Sequence, residues 1–235
     1  MLDAFFDQVH IVLLRPRWAN NLGSVARAMK NFGLRRLTLV DSRIGSWTDA
    51  WKMAVHSKDV LENAKQAATL DEVVASSTWI VGTTNEPLPG TRVLSPRELA
   101  RQAATRSDTT LLFGGEINGL EPAELLRCHA VSVIPTAPEQ SSLNLAQAVA
   151  VFAAELFAER RSASSPPAPS AALATAEMMQ HLERALAHLL DTSAWRDASR
   201  GKHAIAELMQ PMWRAQLTDA EVRAWLVALN KAAQR

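Results

Sequence analysis

The chain has 235 residues and a mass of 25.7 kDa, with 48% hydrophobic and 21% charged residues, which excludes wholesale disorder and a disulfide-stapled miniature fold. Its one cysteine, Cys128, excludes an intramolecular disulfide and a cysteine-based zinc cluster and points to a reducing compartment. A net charge of +1, no apolar run of membrane-spanning length, and Asp3 and Asp7 where a signal peptide carries positive charge lead us to expect a soluble, cytoplasmic protein.

Strand-like runs recur between helical stretches. In chain order the expected strands are Val9–Leu14, Arg36–Asp41, Thr78–Thr83, Thr110–Phe113 and Ala130–Ile134. Most are continuous apolar runs rather than strict alternations, as strands covered on both faces require. After the first strand, Val25, Ala28, Met29 and Phe32 form one apolar stripe of a helix over 22–32. Ser95-Pro-Arg-Glu98 reads as a capping box with proline at the first helical position. After Ser142, the run LNLAQAVAVFAAELFAER predicts a long helix. Strand–helix alternation over residues 1–160 predicts an α/β fold with a mainly parallel sheet flanked by helices.

Composition shifts at residues 161–172, RSASSPPAPSAA, which read as an extended linker. Residues 173–235 then predict a small all-helical extension, with helices over 173–190 and 204–217 and a third capped by Thr218-Asp-Ala-Glu221. So short a helical segment buries little core alone, so it is expected to dock on the first domain or on a second copy of the chain. Trp47, Trp51, Trp79, Trp195, Trp213 and Trp225 are read mainly as core or interface residues.

The near-neutral net charge conceals a local excess. From His10 to Arg43, seven basic residues (Arg15, Arg17, Arg27, Lys30, Arg35, Arg36, Arg43) face Asp41 alone, whereas residues 44–157 hold 8 basic and 13 acidic residues. A basic patch on such a chain points to nucleic acid or phosphate. The competing explanation, equally weighted on charge alone, is that these side chains solvate helix and strand ends.

Three segments at the carboxyl ends of predicted strands carry candidate chemistry, where ligands bind in open α/β sheets. In ANNLGSVARAMKNFG (19–33), Asn21 and Gly23 open a helix whose Ser24, Arg27 and Asn31 share a polar face, an arrangement suited to phosphate or ribose but also to an ordinary capped helix. In LLFGGEINGL (111–120), a strand runs into two glycines and Glu116, which allows close backbone approach to a ligand or simply a tight turn. In IPTAPEQSSLNLAQAVAVFAAEL (134–156), Ser141, Ser142 and Asn144 crowd the start of an apolar helix with more polar groups than a cap needs. Neither a dinucleotide-binding glycine fingerprint nor a phosphate-binding loop is present. A serine hydrolase lacks its nucleophile elbow here. No metal site is expected, since His181 and His188 read as ordinary helix-surface residues.

Taken in order, N-x-G-S-x-x-R-A-x-x-x-F-G (Asn21–Gly33), F-G-x-E-x-x-G-L (Phe113–Leu120) and I-P…S-S-L-N-L-A-Q-A-V (Ile134–Val149) resemble the three motifs of the SpoU/TrmH branch of the SPOUT RNA methyltransferases. The intervening AVHSKDVLENAKQAATLDEVVASSTWIVGTT is similar to the bacterial TrmJ-like group, which methylates a ribose in the tRNA anticodon loop, at nucleotide 32. LTDAEVRAWLVALNKA is similar to that group's helical extension. The resemblance implies a trefoil knot, S-adenosylmethionine as methyl donor, an RNA substrate, most simply tRNA, and a homodimer whose active site is completed across the interface. By position it implies that Thr83, Thr84, Asn85, Gly114, Ile134, Ser141, Ser142 and Leu143 contact the donor. It assigns Asn21, Arg27, Glu116, Ser142 and Asn144 to catalysis and ribose orientation, with Arg15, Arg17, Arg27 and Lys30 on the RNA. A guanidinium is a poor base, so Arg27 is expected to bind the adjacent phosphate and stabilise the developing alkoxide. The chain departs from the group at Gly115, where arginine is usual, at Gly82-Thr-Thr-Asn-Glu86, at Gln140, and at Gln210-Pro-Met-Trp-Arg214, which replaces an arginine-rich run. A non-catalytic dimeric RNA-binding paralogue, or a methyltransferase of another tRNA or rRNA site, are the alternative expectations.

Overall fold

A computed structural model describes residues 2–162, 172–192 and 201–233. Its strands are β1 (Val9–Leu14), β2 (Arg36–Val40), β3 (Lys65–Ala67), β4 (Ile80–Thr83), β5 (Val93–Leu94), β6 (Thr109–Phe113) and β7 (Ala130–Ser132). Helices α1 (Leu2–Asp7), α2 (Ala19–Asn31), α3 (Thr48–Met53), α4 (Lys58–Glu62), α5 (Leu70–Val74), α6 (Pro96–Ala103) and α7 (Pro122–Leu125) alternate with them. Four longer or terminal helices follow: α8 (Leu145–Ser162), α9 (Ala176–Thr192), α10 (Gly201–Ala215) and α11 (Asp219–Ala232).

The strands form one sheet in the order β3-β2-β1-β6-β4-β7-β5, and every pairing is parallel. All carboxyl ends therefore lie along one edge, where the three motif segments emerge. The two short outer strands, β3 and β5, were not among the expected strands; Lys65, Gln66 and Val93 are exposed there, so neither strand shows the apolar run of its buried neighbours. The strand expected from Thr78 begins at Ile80, and the one expected to reach Ile134 ends at Ser132. The Ser95–Glu98 and Thr218–Glu221 capping boxes form as expected, each serine or threonine hydroxyl accepting from the glutamate backbone N–H.

Alternation along the strands splits the interior in two. Ile11, Leu13, Leu37, Leu39, Val81, Leu111 and Phe113 point to one face and pack with Val25 and Met29 of α2, Leu99 of α6, and Val149 and Phe152 of α8. Val12, Leu14, Val40, Ile80, Leu112 and Val131 point to the other face and pack with Met179, Leu182, Met209, Trp213, Val222 and Leu229 of α9–α11. The helical extension thus docks on the sheet of its own chain, supplying the cover that a parallel sheet needs. Its first described residues are tied in by backbone bonds, Ala176 N–H to Ser77 O at 2.8 Å and Ala174 N–H to Leu217 O at 2.8 Å. Of the expected linker, Arg161 and Ser162 close α8, Ala172 starts the next described stretch, and 163–171 lie outside the described residues. Trp79 and Trp213 are core residues and Trp47 and Trp51 are half-buried, whereas Trp225 is exposed and Trp195 lies outside the described residues.

Two histidines are buried as neutral rings. The His10 ring shares a 2.8 Å hydrogen bond with Thr38 Oγ1 across β1 and β2; burial, then Arg36 and Lys65, push its pKa down to about 4. His129 Nδ1 accepts from Ile80 N–H at 3.0 Å, and the ring meets Trp213 edge-on with centroids 5.0 Å apart; burial pushes it down to about 3. The unfolded chain, with histidines near the ordinary 6.5, takes up protons that the fold refuses. Their contribution to stability is therefore present above about pH 6.5 and lost as pH falls towards 4, up to about 3 kcal/mol for His10 alone. Urea unfolding at stepped pH is expected to show this decline, and a His10→Asn variant a shallower one than wild type.

Candidate active site

Loops at the carboxyl ends of β4, β6 and β7 surround a cavity of about 560 Å³. All eight residues expected at the donor line it: Thr83, Thr84, Asn85, Gly114, Ile134, Ser141, Ser142 and Leu143. Thr83 Oγ1 donates to Leu112 O at 2.9 Å and Thr84 N–H to Ser132 O at 3.2 Å, which fixes the first loop to both neighbouring strands. Asn85 Nδ2 donates to Ser141 Oγ at 3.3 Å, joining the first and third loops, and Thr136 Oγ1 donates to Ser141 O at 3.1 Å within the third. Phe113, Leu120, Leu145 and Phe152 supply apolar wall.

The middle loop folds back on itself. Gly119 N–H donates to Gly115 O at 2.9 Å, with Gly119 at φ +64°. A Cβ on Gly114 would lie 1.8 Å from the Gly119 carbonyl carbon, so this turn closes only without a side chain there. At Gly115 a Cβ would come within 2.7 Å of Arg15 O, so this backbone leaves no room for the arginine usual in the TrmJ-like group.

Glu116 lines the cavity and joins two segments distant in sequence. Its carboxylate accepts from the backbone N–H groups of Arg17 at 2.9 Å and Trp18 at 3.3 Å, and from Asn21 Nδ2 at 3.0 Å. Asn21 Oδ1 in turn accepts from Asn144 Nδ2 at 2.9 Å, while Asn144 Oδ1 accepts from Ala146 N–H at 2.9 Å and so caps α8. Asn21, Glu116 and Asn144 thus form one polar chain. Ser142 lies exposed on the cavity rim, where its Oγ accepts from Gln140 Nε2 at 3.3 Å.

Arg27 does not join this group. It lies six residues beyond Asn21 on α2, about 120° around the helix and about 9 Å along it, exposed and outside the cavity wall. Two of the other expected RNA contacts are engaged: Arg15 pairs through both terminal nitrogens with Glu124, whose hydrogen bonds raise the guanidinium pKa, and Lys30 Nζ lies 2.5 Å from Asp59. Arg36 pairs with Asp108 and Arg43 with Asp41. Of the basic residues in 10–43, only the Arg17 and Arg27 guanidinium groups have no partner among the described residues. Sequence reasoning missed the Trp18 amide and the Gly119 turn, because backbone groups leave no side-chain signature. A spacing of three glycines within six residues was the available signal.

The profile of the SpoU rRNA Methylase family matches residues 8–154. The chain belongs to this family. It is 37% identical over 194 residues to the tRNA (cytidine/uridine-2′-O-)-methyltransferase TrmJ of Yersinia enterocolitica, covering 77% of this chain and 75% of that one. It superposes on the crystal structure of TrmJ from Z. mobilis ZM4 with a TM-score of 0.82 at 29% identity, covering 94% of this chain and 97% of that chain. It is also similar to the AdoMet-bound rRNA methyltransferase from Sinorhizobium meliloti, with a TM-score of 0.53 at 27% identity over 67% of this chain and 57% of that one.

The cavity suits an S-adenosyl group: a glycine cradle too tight for any Cβ, apolar walls for a base, and amide and hydroxyl groups for a ribose and an amino acid. Among the described residues there is no cluster of three or more histidine, cysteine or acidic side chains able to hold a metal. Gly114→Ala is expected to abolish S-adenosylhomocysteine binding by calorimetry while circular dichroism retains the helical signal.

Proposed function

We propose that the chain is an S-adenosylmethionine-dependent tRNA ribose 2′-O-methyltransferase. The observation that carries this reading is the convergence of all eight expected donor residues on one cavity, whose wall also holds Glu116, the anchor of the Asn21–Asn144 polar chain. When bound, the donor supplies a sulfonium methyl, already activated for attack by an oxygen nucleophile. The protein's work is then alignment and charge stabilisation. Thr83, Thr84, Asn85 and Gly114 hold the donor from two sides, with Ile134, Ser141 and Leu143 closing the third. Asn144, locked by Asn21, and Ser142 orient the ribose so that its 2′-oxygen faces the methyl.

Arg27 completes the site from a second copy of the chain. Two features support this: Arg27 is exposed and outside the wall of its own cavity, and α8 carries half-exposed or exposed Val151, Ala154 and Ala158, small apolar groups suited to close helix packing. There Arg27 neutralises the phosphate beside the reacting ribose and the charge developing on the 2′-oxygen, while the proton leaves to that phosphate or to water. The second and third motifs and the loop after Thr83 form the trefoil knot that the family resemblance implies. Arg17, beside the cavity, is the remaining RNA contact. The family resemblance supports a target in the anticodon loop, at nucleotide 32, and the single cysteine supports a cytoplasmic enzyme. No helix among the described residues is long and apolar enough to cross a membrane.

The reading is tested by calorimetry with S-adenosylhomocysteine and by methyl transfer to total tRNA and rRNA. One micromolar site per chain and a labelled tRNA ribose are expected; RNA binding without transfer to any pool overturns it. Arg27→Ala is expected to lower turnover about a hundredfold while leaving product affinity within about twofold. Equal losses in both remove Arg27 from the chemistry.

A further inference from the structure

We propose that the C-terminal helical extension sets the shape of the methyl-donor pocket, with Gln210 and Arg214 as positioning residues that act through the segment Leu88–Gly90. This inference rests on the donor reading of the cavity. Thr84, Asn85, Glu86 and Leu88 form one wall of that cavity, in the connection between β4 and β5. The connection is anchored at its ends, by Thr84 N–H on Ser132 O at 3.2 Å and by Val131 N–H on Arg92 O at 2.8 Å. Within it, Thr91 N–H and Oγ1 both donate to Leu88 O, which shapes the turn but ties it to nothing outside.

The outside ties come from α10. Arg214 Nη1 donates to Gly90 O, and Gln210 Nε2 donates to Pro89 O at 3.4 Å. Leu88 packs partly buried against the second core cluster, which contains Met209 and Trp213 of the same helix. Gln210 and Arg214 thus hold the segment from one helix by hydrogen bonds, while Leu88 packs against the core cluster to which that helix contributes. Gly90 sits at φ +76°, a left-handed conformation that suits glycine. Among the described residues, the one other side-chain bond that reaches 85–90 from outside the β4–β5 connection is Asn85 to Ser141, itself a donor-wall contact.

A loop with prolines at 87 and 89 and no internal ladder would otherwise have to be ordered by the ligand, which weakens binding. The extension does this ordering in advance. The arginine retained in the Gln210–Arg214 stretch is committed to a backbone carbonyl, so its effect is read in donor affinity rather than in RNA affinity.

The test uses the full chain carrying Gln210→Ala with Arg214→Ala, the two single variants, and Arg214→Lys. Calorimetry with S-adenosylhomocysteine is expected to show about tenfold weaker binding for the double variant, a coupling of ordinary size. The KM for donor should rise in parallel, while kcat at saturating donor and tRNA affinity stay within about twofold. Arg214→Lys is expected to keep part of the affinity, since an ammonium can also donate to the Gly90 carbonyl. Unchanged product affinity in a folded double variant overturns the inference, as does a loss that falls equally on donor and tRNA. If the double variant aggregates, Gln210→Ala and Arg214→Lys carry the same comparison. Wild-type protein that fails to bind the product removes the donor reading and this inference together, whereas tight binding by wild type and variant alike removes this inference alone.

Discussion

Parallel pairing along the whole sheet is the constraint from which the rest of the architecture follows. A parallel sheet must be covered on both faces, and its crossovers must return the chain to the same edge. The first requirement makes the extension integral, because α9–α11 shield the face that carries Val12, Leu14, Ile80 and Leu112. The second gathers the ends of β4, β6 and β7 at one edge, so that three loops separated by tens of residues enclose one cavity. Geometry at that edge then has little freedom. Two glycines without room for a side chain hold the middle loop against β1 and against itself.

The polar groups at this edge divide into those that hold and those that remain available. Glu116 accepts three hydrogen bonds from the start of α2, which fixes where that helix leaves the sheet and therefore where Asn21 meets Asn144. Arg15 adopts φ 52°, an uncommon conformation for a residue with a side chain, and its guanidinium is pinned by Glu124. These groups hold the loop and the helix start in place. The exposed pairs further out, such as Lys30 with Asp59, contribute at most about 1 kcal/mol each and leave the local charge nearly balanced. The basic excess of the amino-terminal stretch is therefore mostly answered by acids from elsewhere in the chain, which a count along the sequence cannot show.

Much of this was legible in the sequence, and the gaps have physical reasons. Central strands announce themselves because burial on both faces demands unbroken apolar runs, as in Val9–Leu14. Edge strands β3 and β5 carry no such demand, so Lys65-Gln66-Ala67 looks like loop. The cavity wall was legible because its glycines and hydroxyls occur in motifs of fixed spacing. The contribution of α10 was not, since a side chain that reaches across 124 residues to a carbonyl obeys no local pattern. Arg27 shows the opposite case: its motif is plain, but its place depends on helical phase, and only the fold shows that it lies exposed and outside the wall of its own cavity. Trp79, expected in the core or at an interface, lies in the core, where the Arg106 guanidinium sits 4.2 Å above its ring and burial lowers that arginine's pKa to about 10.

Cys128 lies beneath Gly82 and Leu125 in the second core, its Sγ donating to Glu124 O at 3.3 Å and its pKa pushed up to about 12 by burial. A thiol so protected is nearly silent towards alkylating reagents. As it is the sole cysteine, the native sequence already serves as a blank background for site-directed labelling. A single cysteine introduced on the exposed face of α11 would carry a fluorophore or spin label without competition, and the approach of a second subunit or of RNA could be followed by distance in solution.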